Sequence, residues 1–380
     1  MPVRPDEKPR GHWTDRLHAA RDRLIASPRF RRWAAAFPLT RPVARRRTRA
    51  LFDLCAGFVY SQVLQACVQL HLFDLLAEGP LTVVQLSARL ALPEERMQKL
   101  LLAAVSLRLV AHRRGGRFGL GPLGAAMAGN AAVDAMVMHH GALYADLADP
   151  VALLRNQGGD TGVSRYWSYS GNDGAVGLRG DQVAPYTALM AASQTLLADE
   201  VLAAYRIGQH RCLLDVGGGD GSFLRAAAAR APALGLMLFD LPPVVEQARA
   251  RFANAGLSER VTLTAGDFLR DPLPRGADAV SLVRVIHDHE DAVVLAILRA
   301  AHAALPPGGS LLLAEPLAGT RGAEPIGDAY FGFYLIAMGR GRARTQAELT
   351  ALLTAAGFGD VRRVPTDVPL LTSVIVAKAS

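Results

Sequence analysis

The segment LLDVGGGDGSFLRAAAAR, residues 213–230, constrains this chain more than any other. An apolar run enters a turn holding four glycines and leaves it as an alanine-rich, helix-forming stretch. Glycine supplies the left-handed backbone that so tight a strand-to-helix turn needs, and it lets the main chain come close to a ligand. The pattern then repeats. LGLMLFDLPPVVEQARARF reads as strand then helix, RVTLTAGDF as a strand, and ADAVSLVRVIHDH followed by DAVVLAILRAAHAAL as strand and helix. GGSLLLAEP is a fifth strand, and RTQAELTALLTAAGF is a helix with Thr345 and Glu348 at capping-box spacing. DVRRVP and SVIVAKA close the chain as strands. This alternation predicts an α/β domain over residues 183–380 with a parallel, doubly wound sheet and a ligand at the C-terminal strand ends.

The glycine turn departs from the dinucleotide fingerprint GxGxxG. Counted from Gly217, its third glycine position is Ser222, and Asp215 and Asp220 stand before and inside the loop. Carboxylates beside a pyrophosphate repel it. They suit a cationic ligand such as S-adenosylmethionine, with its sulfonium and ammonium groups. Asp240 ends the second strand, where an acid accepts both ribose hydroxyls or, alternatively, caps the following helix. Asp267 and Phe268 end the third, where the acid can accept from an adenine amino group and the ring can cover the base. Gly217, Gly219 and Asp215 complete the candidate cofactor set.

The fourth strand runs out into Ile286-His287-Asp288-His289. A histidine at a strand's C-terminal end faces the ligand crevice, and its ordinary pKa near 6.5 suits a general base. Glu315, at the end of the fifth strand, is the adjacent carboxylate that could orient the imidazole. His289 is expected to face solvent or the next helix.

Charge divides the rest of the chain. Residues 1–50 hold 14 Lys and Arg against 4 Asp and Glu, leaving 28 against 30 elsewhere. A basic arm therefore precedes a near-neutral body, and a uniformly basic nucleic-acid binder is excluded. Within residues 1–49, Trp13, Leu17, Ala20 and Leu24 share a helical face flanked by arginines. Such a helix either packs on protein or lies on an anionic membrane. Residues 50–125 read as helices with a winged tail, TVVQLSARL, LPEERMQKLLLAAVSLRLV and HRRGGRFGL. The second helix opens on Glu94 and Glu95, which would repel phosphates, so the wing is structural and a DNA-binding regulator is disfavoured. Residues 126–182 form a connector with Met127, Met136, Met138, His139 and His140, then a glycine-rich loop around Trp167. Trp167 and Met190 are candidate substrate-pocket residues. Cys55, Cys67 and Cys212 form no metal or disulfide pattern, so no metal site is expected. The N-terminus lacks the apolar core of a signal peptide, and no unbroken run of about 18 apolar residues appears, so no membrane span is expected.

LLDVGGGDGS, LFDLPPV, AGDF, VIHDHED, PGGSLLLAEP and RTQAELTALLTAAGF together resemble the S-adenosylmethionine-dependent O-methyltransferases of the caffeate and acetylserotonin class. The resemblance implies a Rossmann-like methyltransferase sheet, mostly parallel with its last strand antiparallel. It also implies an N-terminal, mainly helical winged-helix domain that forms a homodimer. It places the base at His287, its supporting acid at Glu315, and cofactor contacts at Gly217, Asp240, Asp267 and Phe268. The chain departs from the plant pattern where Ala343 replaces a second supporting Glu and His289 a Trp. The arginine-rich arm, RRRTRALFDLCAGFVYSQVL and HHGALYADLADPVALLR are similar to hydroxyneurosporene O-methyltransferases. That narrower resemblance implies methylation of the tertiary 1-hydroxyl of an acyclic carotenoid, an apolar hydroxylated small molecule, by a cytoplasmic enzyme peripheral to a membrane. Phenolic or polyketide acceptors, and C-methylation of a bacteriochlorophyll-type ring, remain open alternatives.

Overall fold

The computed structural model describes residues 13–155, 161–166, 197–369 and 372–380. It divides into two compact units, Met1–Ala125 and Ala126–Ser380.

In the N-terminal unit the basic arm is helical. Trp13–Ala26 is followed by Pro28–Ala36, whose first turn is capped by the Ser27 hydroxyl. Trp13, Leu17 and Leu24 are each more than half exposed, and the first helix buries no residue. The apolar stripe is therefore formed but uncovered. Next comes a 29-residue helix, Arg41–Gln69. It holds no unbroken apolar run of the kind sought in the sequence. By mean hydropathy it is long and apolar enough to cross a bilayer. Small residues and scattered Ser and Gln hide the signal from a search for an unbroken apolar run. Its residues Phe52, Leu54 and Phe58 are exposed. The wing follows. Strands β1 (Leu81–Thr82), β2 (Val110–Arg113) and β3 (Arg117–Leu120) pair antiparallel in the order β1-β3-β2. Gly115 and Gly116 turn the β2–β3 hairpin with φ of 72° and 65°. Thr82 and Gln85 close a capping box at the helix Val83–Leu90.

The second unit is built on a seven-stranded sheet of order β6-β5-β4-β7-β8-β10-β9. Its strands are β4 (Cys212–Val216), β5 (Gly235–Asp240), β6 (Val261–Ala265), β7 (Ala279–Val283), β8 (Ser310–Glu315), β9 (Phe358–Val364) and β10 (Ser373–Ala379). Strands β4 to β8 pair parallel, while β10 runs antiparallel to both β8 and β9. Chain order reverses between β4 and β7, which opens a crevice at their C-terminal ends. Both faces are covered, so β7 and β8 are buried along their whole length and read as continuous apolar runs. Leu213, Leu236 and Leu238 meet Phe223, Val245 and Phe252 on one side. Leu214, Val280 and Leu311 meet Val294, Ile297, Leu349 and Leu353 on the other. Each such fully buried side chain contributes about 1.5–3 kcal/mol. Thr345 and Glu348 form the expected capping box.

A third cluster joins Leu143 of helix Ala131–Asp146 to Leu335 and Met338 of helix Phe331–Met338. The Asp146 carboxylate accepts from the Gly162 and Val163 N–H groups at 2.7 and 2.8 Å, capping helix Gly162–Tyr166. Of the connector's methionines, Met127 is buried while Met136 and Met138 are exposed.

Candidate active site

The loop after β4 turns on three left-handed glycines, Gly217, Gly219 and Gly221, at φ of 67°, 60° and 77°. Gly219 donates its N–H to one Asp240 carboxylate oxygen at 2.8 Å, and Leu241 donates to the other at 2.7 Å. Asp240 thus ties the end of β5 to the loop. Burial pushes its carboxyl up to about 6, against the pull of those two N–H groups. Beneath the loop, Asp215 is buried and accepts from the Ser281 hydroxyl at 2.6 Å. Burial pushes it up to about 7, with the Ser281 bond opposing and the Asp240 charge adding. Its second oxygen has no hydrogen-bond partner among the described residues.

Asp220 behaves differently from its sequence reading as a free acid facing a cation. It is buried, accepts from the N–H and hydroxyl of Ser222, and lies 3.6 Å from Arg225 and 3.8 Å from Arg251. Its charge is matched inside the domain, leaving Asp215 and Asp240 as the acids of the crevice. A Cβ at Gly219 would meet nothing within 4 Å among the described residues, so they leave space open over the loop. That space and the unpartnered Asp215 oxygen fit a ligand with polar hydrogens and positive charge. At Gly221 the reverse holds, since a Cβ there would fall 2.4 Å from the Phe252 ring. Gly221→Ala should therefore cost about 2–4 kcal/mol from left-handed strain and overpacking, measured by chemical denaturation. An unchanged midpoint would mean the loop relaxes freely.

At the end of β6, Asp267 accepts from the Leu269 N–H at 2.9 Å, and its other oxygen lies 3.6 Å from Arg270. Phe268 stands edge-on to the His289 ring at 5.5 Å. His289 is buried against Phe268, which overturns the solvent-facing alternative of the sequence reading. Burial, with nearby cations, drops its imidazole to about 4.

His287 sits in the turn Ile286–Asp288 beyond β7, fully within the fold. Its Nδ1 is 2.6 Å from a Glu315 carboxylate oxygen. The other Glu315 oxygen accepts from the Val285 and Ile286 N–H groups at 2.9 and 2.8 Å. One carboxylate therefore fixes both the ring and the backbone that carries it. Two residues were missed by the sequence reading. Asp288 places a carboxylate oxygen 3.1 Å from Nε2 of His287, on the ring edge opposite Glu315. The adjacency in the HD pair was its only signal. Arg344 is buried and donates to the carbonyls of Ile286 and His289 at 2.9 and 2.6 Å, and to Asp291. Nothing local in RTQAE marks that clamp. Burial alone would depress His287, but Asp288 and Glu315 outweigh it and raise its pKa. The expected pairing of His287 with Glu315 is present, and the loop, Asp240, Asp267 and Phe268 lie on neighbouring strand ends of the same sheet edge. Trp167 and Met190 lie outside the described residues. Among the described residues no group of three or more metal-ligating side chains occurs.

The chain that carries this loop and this histidine–carboxylate pair is similar to known proteins over most of its length. The O-methyltransferase domain family matches residues 144–359, and the O-methyltransferase dimerisation domain family matches residues 52–130. The chain belongs to the O-methyltransferase family. Its methyl donor class is S-adenosylmethionine, and the dimerisation domain supports a homodimer. Demethylspheroidene O-methyltransferase of Cereibacter sphaeroides is 44% identical over 93% of each chain. The enzyme of the same name from Rhodobacter capsulatus is 41% identical over 94% of this chain and 88% of that one. Mouse acetylserotonin O-methyltransferase is 34% identical over 83% of this chain and 84% of its own. Among solved structures, human N-acetylserotonin methyltransferase in complex with SAM superposes with a TM-score of 0.73 at 26% identity, covering 88% of this chain and 98% of that one.

Proposed function

We propose that this methyltransferase acts on the tertiary 1-hydroxyl of an acyclic carotenoid of the demethylspheroidene type. The observation that carries the reading is the 44% identity over nearly the full length of both chains. S-adenosylmethionine, when bound, supplies an electrophilic methyl group on a cationic sulfur. Gly217, Gly219, Asp215, Asp240, Asp267 and Phe268 would hold it, the glycines through close backbone approach and the acids through charge and hydroxyl contacts. His287 is the general base and Glu315 its orienting partner. The Glu315 carboxylate on Nδ1 keeps that nitrogen protonated, while the Asp288 oxygen 3.1 Å from Nε2 makes no hydrogen bond among the described residues, which leaves Nε2 to accept the substrate's proton. A tertiary alcohol is far less acidic than an imidazolium, so the hydroxyl gives up its proton only as its oxygen forms the new bond. Aligning the acceptor beside Nε2 in a dry site supplies much of the rate.

The base must be neutral to act, and its pKa is raised. The rate therefore climbs with pH until the imidazole has lost its proton. Asp288→Asn removes one of the raising charges, so the acid limb of the kcat/KM profile should move to lower pH. A limb in the same place would separate Asp288 from the base.

The arm gives the enzyme a route to a bilayer-borne substrate. Its aromatic and aliphatic stripe is exposed and bordered by arginines, the composition of a helix lying on anionic lipid. This reading makes the protein a cytoplasmic enzyme held peripherally at a membrane. Deleting residues 1–49 should abolish sedimentation with anionic liposomes, and retained binding would assign the arm to protein packing. The substrate itself is tested with labelled S-adenosylmethionine against hydroxylated acyclic carotenoids in detergent, simple phenols and a porphyrinoid. Label in the carotenoid supports the reading; label in phenols alone overturns it.

A further inference from the structure

Two histidine–tyrosine pairs stand next to His287 without a part in the chemistry above. His139 and His140 are neighbours on helix Ala131–Asp146. Adjacent helical positions diverge by about 100°, yet both reach the same segment from either side. His139 Nε2 is 2.7 Å from the Tyr334 hydroxyl, and His140 Nε2 is 2.8 Å from the Tyr330 hydroxyl. Tyr330 ends a π-helical turn, Pro325–Tyr330, a distortion that recurs at functional sites. Its ring is edge-on to Phe331 at 5.1 Å, and Phe331 is edge-on to His287 at 5.7 Å. One aromatic ring thus separates the His140–Tyr330 pair from the base.

His139, His140 and Tyr330 are held neutral near pH 7. Burial, with the nearby charges of His140 and Arg284, lowers His139 to about 4, and burial lowers His140. Burial also raises the Tyr330 hydroxyl to about 12. A neutral imidazole and a neutral phenol share one proton in either of two directions. The tyrosine can donate to Nε2 and accept from a guest, or accept from Nε2–H and donate to a guest. Such a pair matches an alcohol, which also donates and accepts. A hydrocarbon offers neither, and a methyl ether can only accept. Packing alone would be served at lower desolvation cost by apolar side chains.

We propose that the His140–Tyr330 pair, backed by His139–Tyr334, is a subsite that receives the hydroxyl-bearing end of an uncharged alcohol beside His287. It selects the alcohol over its parent hydrocarbon. The inference rests on the reading that the acceptor is an uncharged alcohol. Tyr330→Phe keeps the ring stack and removes only the hydroxyl. Binding of a 1-hydroxylated acyclic carotenoid and of the matching hydrocarbon is measured on the full-length enzyme loaded with S-adenosylhomocysteine, so no turnover is required. The unaltered enzyme should prefer the alcohol, and Tyr330→Phe should erase about a 3- to 10-fold preference, the range of one neutral hydrogen bond. Hydrocarbon affinity should stay the same. His140→Gln, which keeps a polar group near the Nε2 position, should retain part of the preference. Where the alcohol is methylated, KM should rise more than kcat falls. Equal weakening of alcohol and hydrocarbon, or an undiminished preference, would show that the pairs only pin two helices. Failure of the unaltered enzyme to methylate the alcohol would instead defeat the substrate reading, while the binding comparison still decides the subsite.

Discussion

His287→Ala lowers kcat by about 10²–10⁴-fold, the usual worth of a positioned base, and leaves affinity for S-adenosylhomocysteine close to that of the unaltered enzyme. The separation follows from the geometry. His287 belongs to the turn beyond β7, whereas the ligand loop hangs from β4 and is held by Asp240 at the end of β5. Removing the imidazole frees the Glu315 oxygen that faced it, but the other oxygen keeps both backbone N–H groups, so the turn keeps its shape. The loss should be steepest for an alcohol and shallower for a phenol, because a phenol needs less help in losing its proton. The measurements are steady-state turnover with both acceptor types and calorimetric titration of the product nucleoside. Turnover within twofold of the unaltered enzyme would end the assignment of His287 as base.

The second unit was legible because its signals are local and repeated. Each strand end carries its own chemistry, at Asp215, Asp240, Asp267, His287 and Glu315, and the parallel topology brings those ends to one edge. The capping box at Thr345 and the glycine turn were equally local. What escaped was set by contacts between segments far apart in sequence. Arg344 holds a turn more than fifty residues upstream, and Tyr330 and Tyr334 meet histidines some 190 residues away. Asp220 was misread because its composition says acid while its neighbours Arg225 and Arg251 already match it.

Glu315→Gln should be nearly as damaging as losing His287, and for a different reason. The carboxylate only accepts, and all three of its partners donate: the Val285 and Ile286 N–H groups at one oxygen and the imidazole Nδ1 at the other. A glutamine has one accepting oxygen and one donating amide. If its oxygen stays with the backbone pair, its NH₂ faces Nδ1, which must then be unprotonated. The ring proton moves to Nε2, the nitrogen that has to receive the substrate's proton. If the amide flips, its NH₂ meets two backbone donors and leaves them unsatisfied in the core. The first outcome gives a folded enzyme with the wrong tautomer, a fault that costs about 10⁴-fold in the serine-protease triad. The second costs about 1–3 kcal/mol for the buried groups left without an acceptor. Turnover, denaturant midpoint and the pH profile together tell them apart. In either case the double variant His287→Ala/Glu315→Gln should lose no more kcat than His287→Ala alone, because the carboxylate acts on the reaction only through the ring. Additive losses would give Glu315 a direct role on the substrate or cofactor, and full activity in a stable Glu315→Gln enzyme would break the pair.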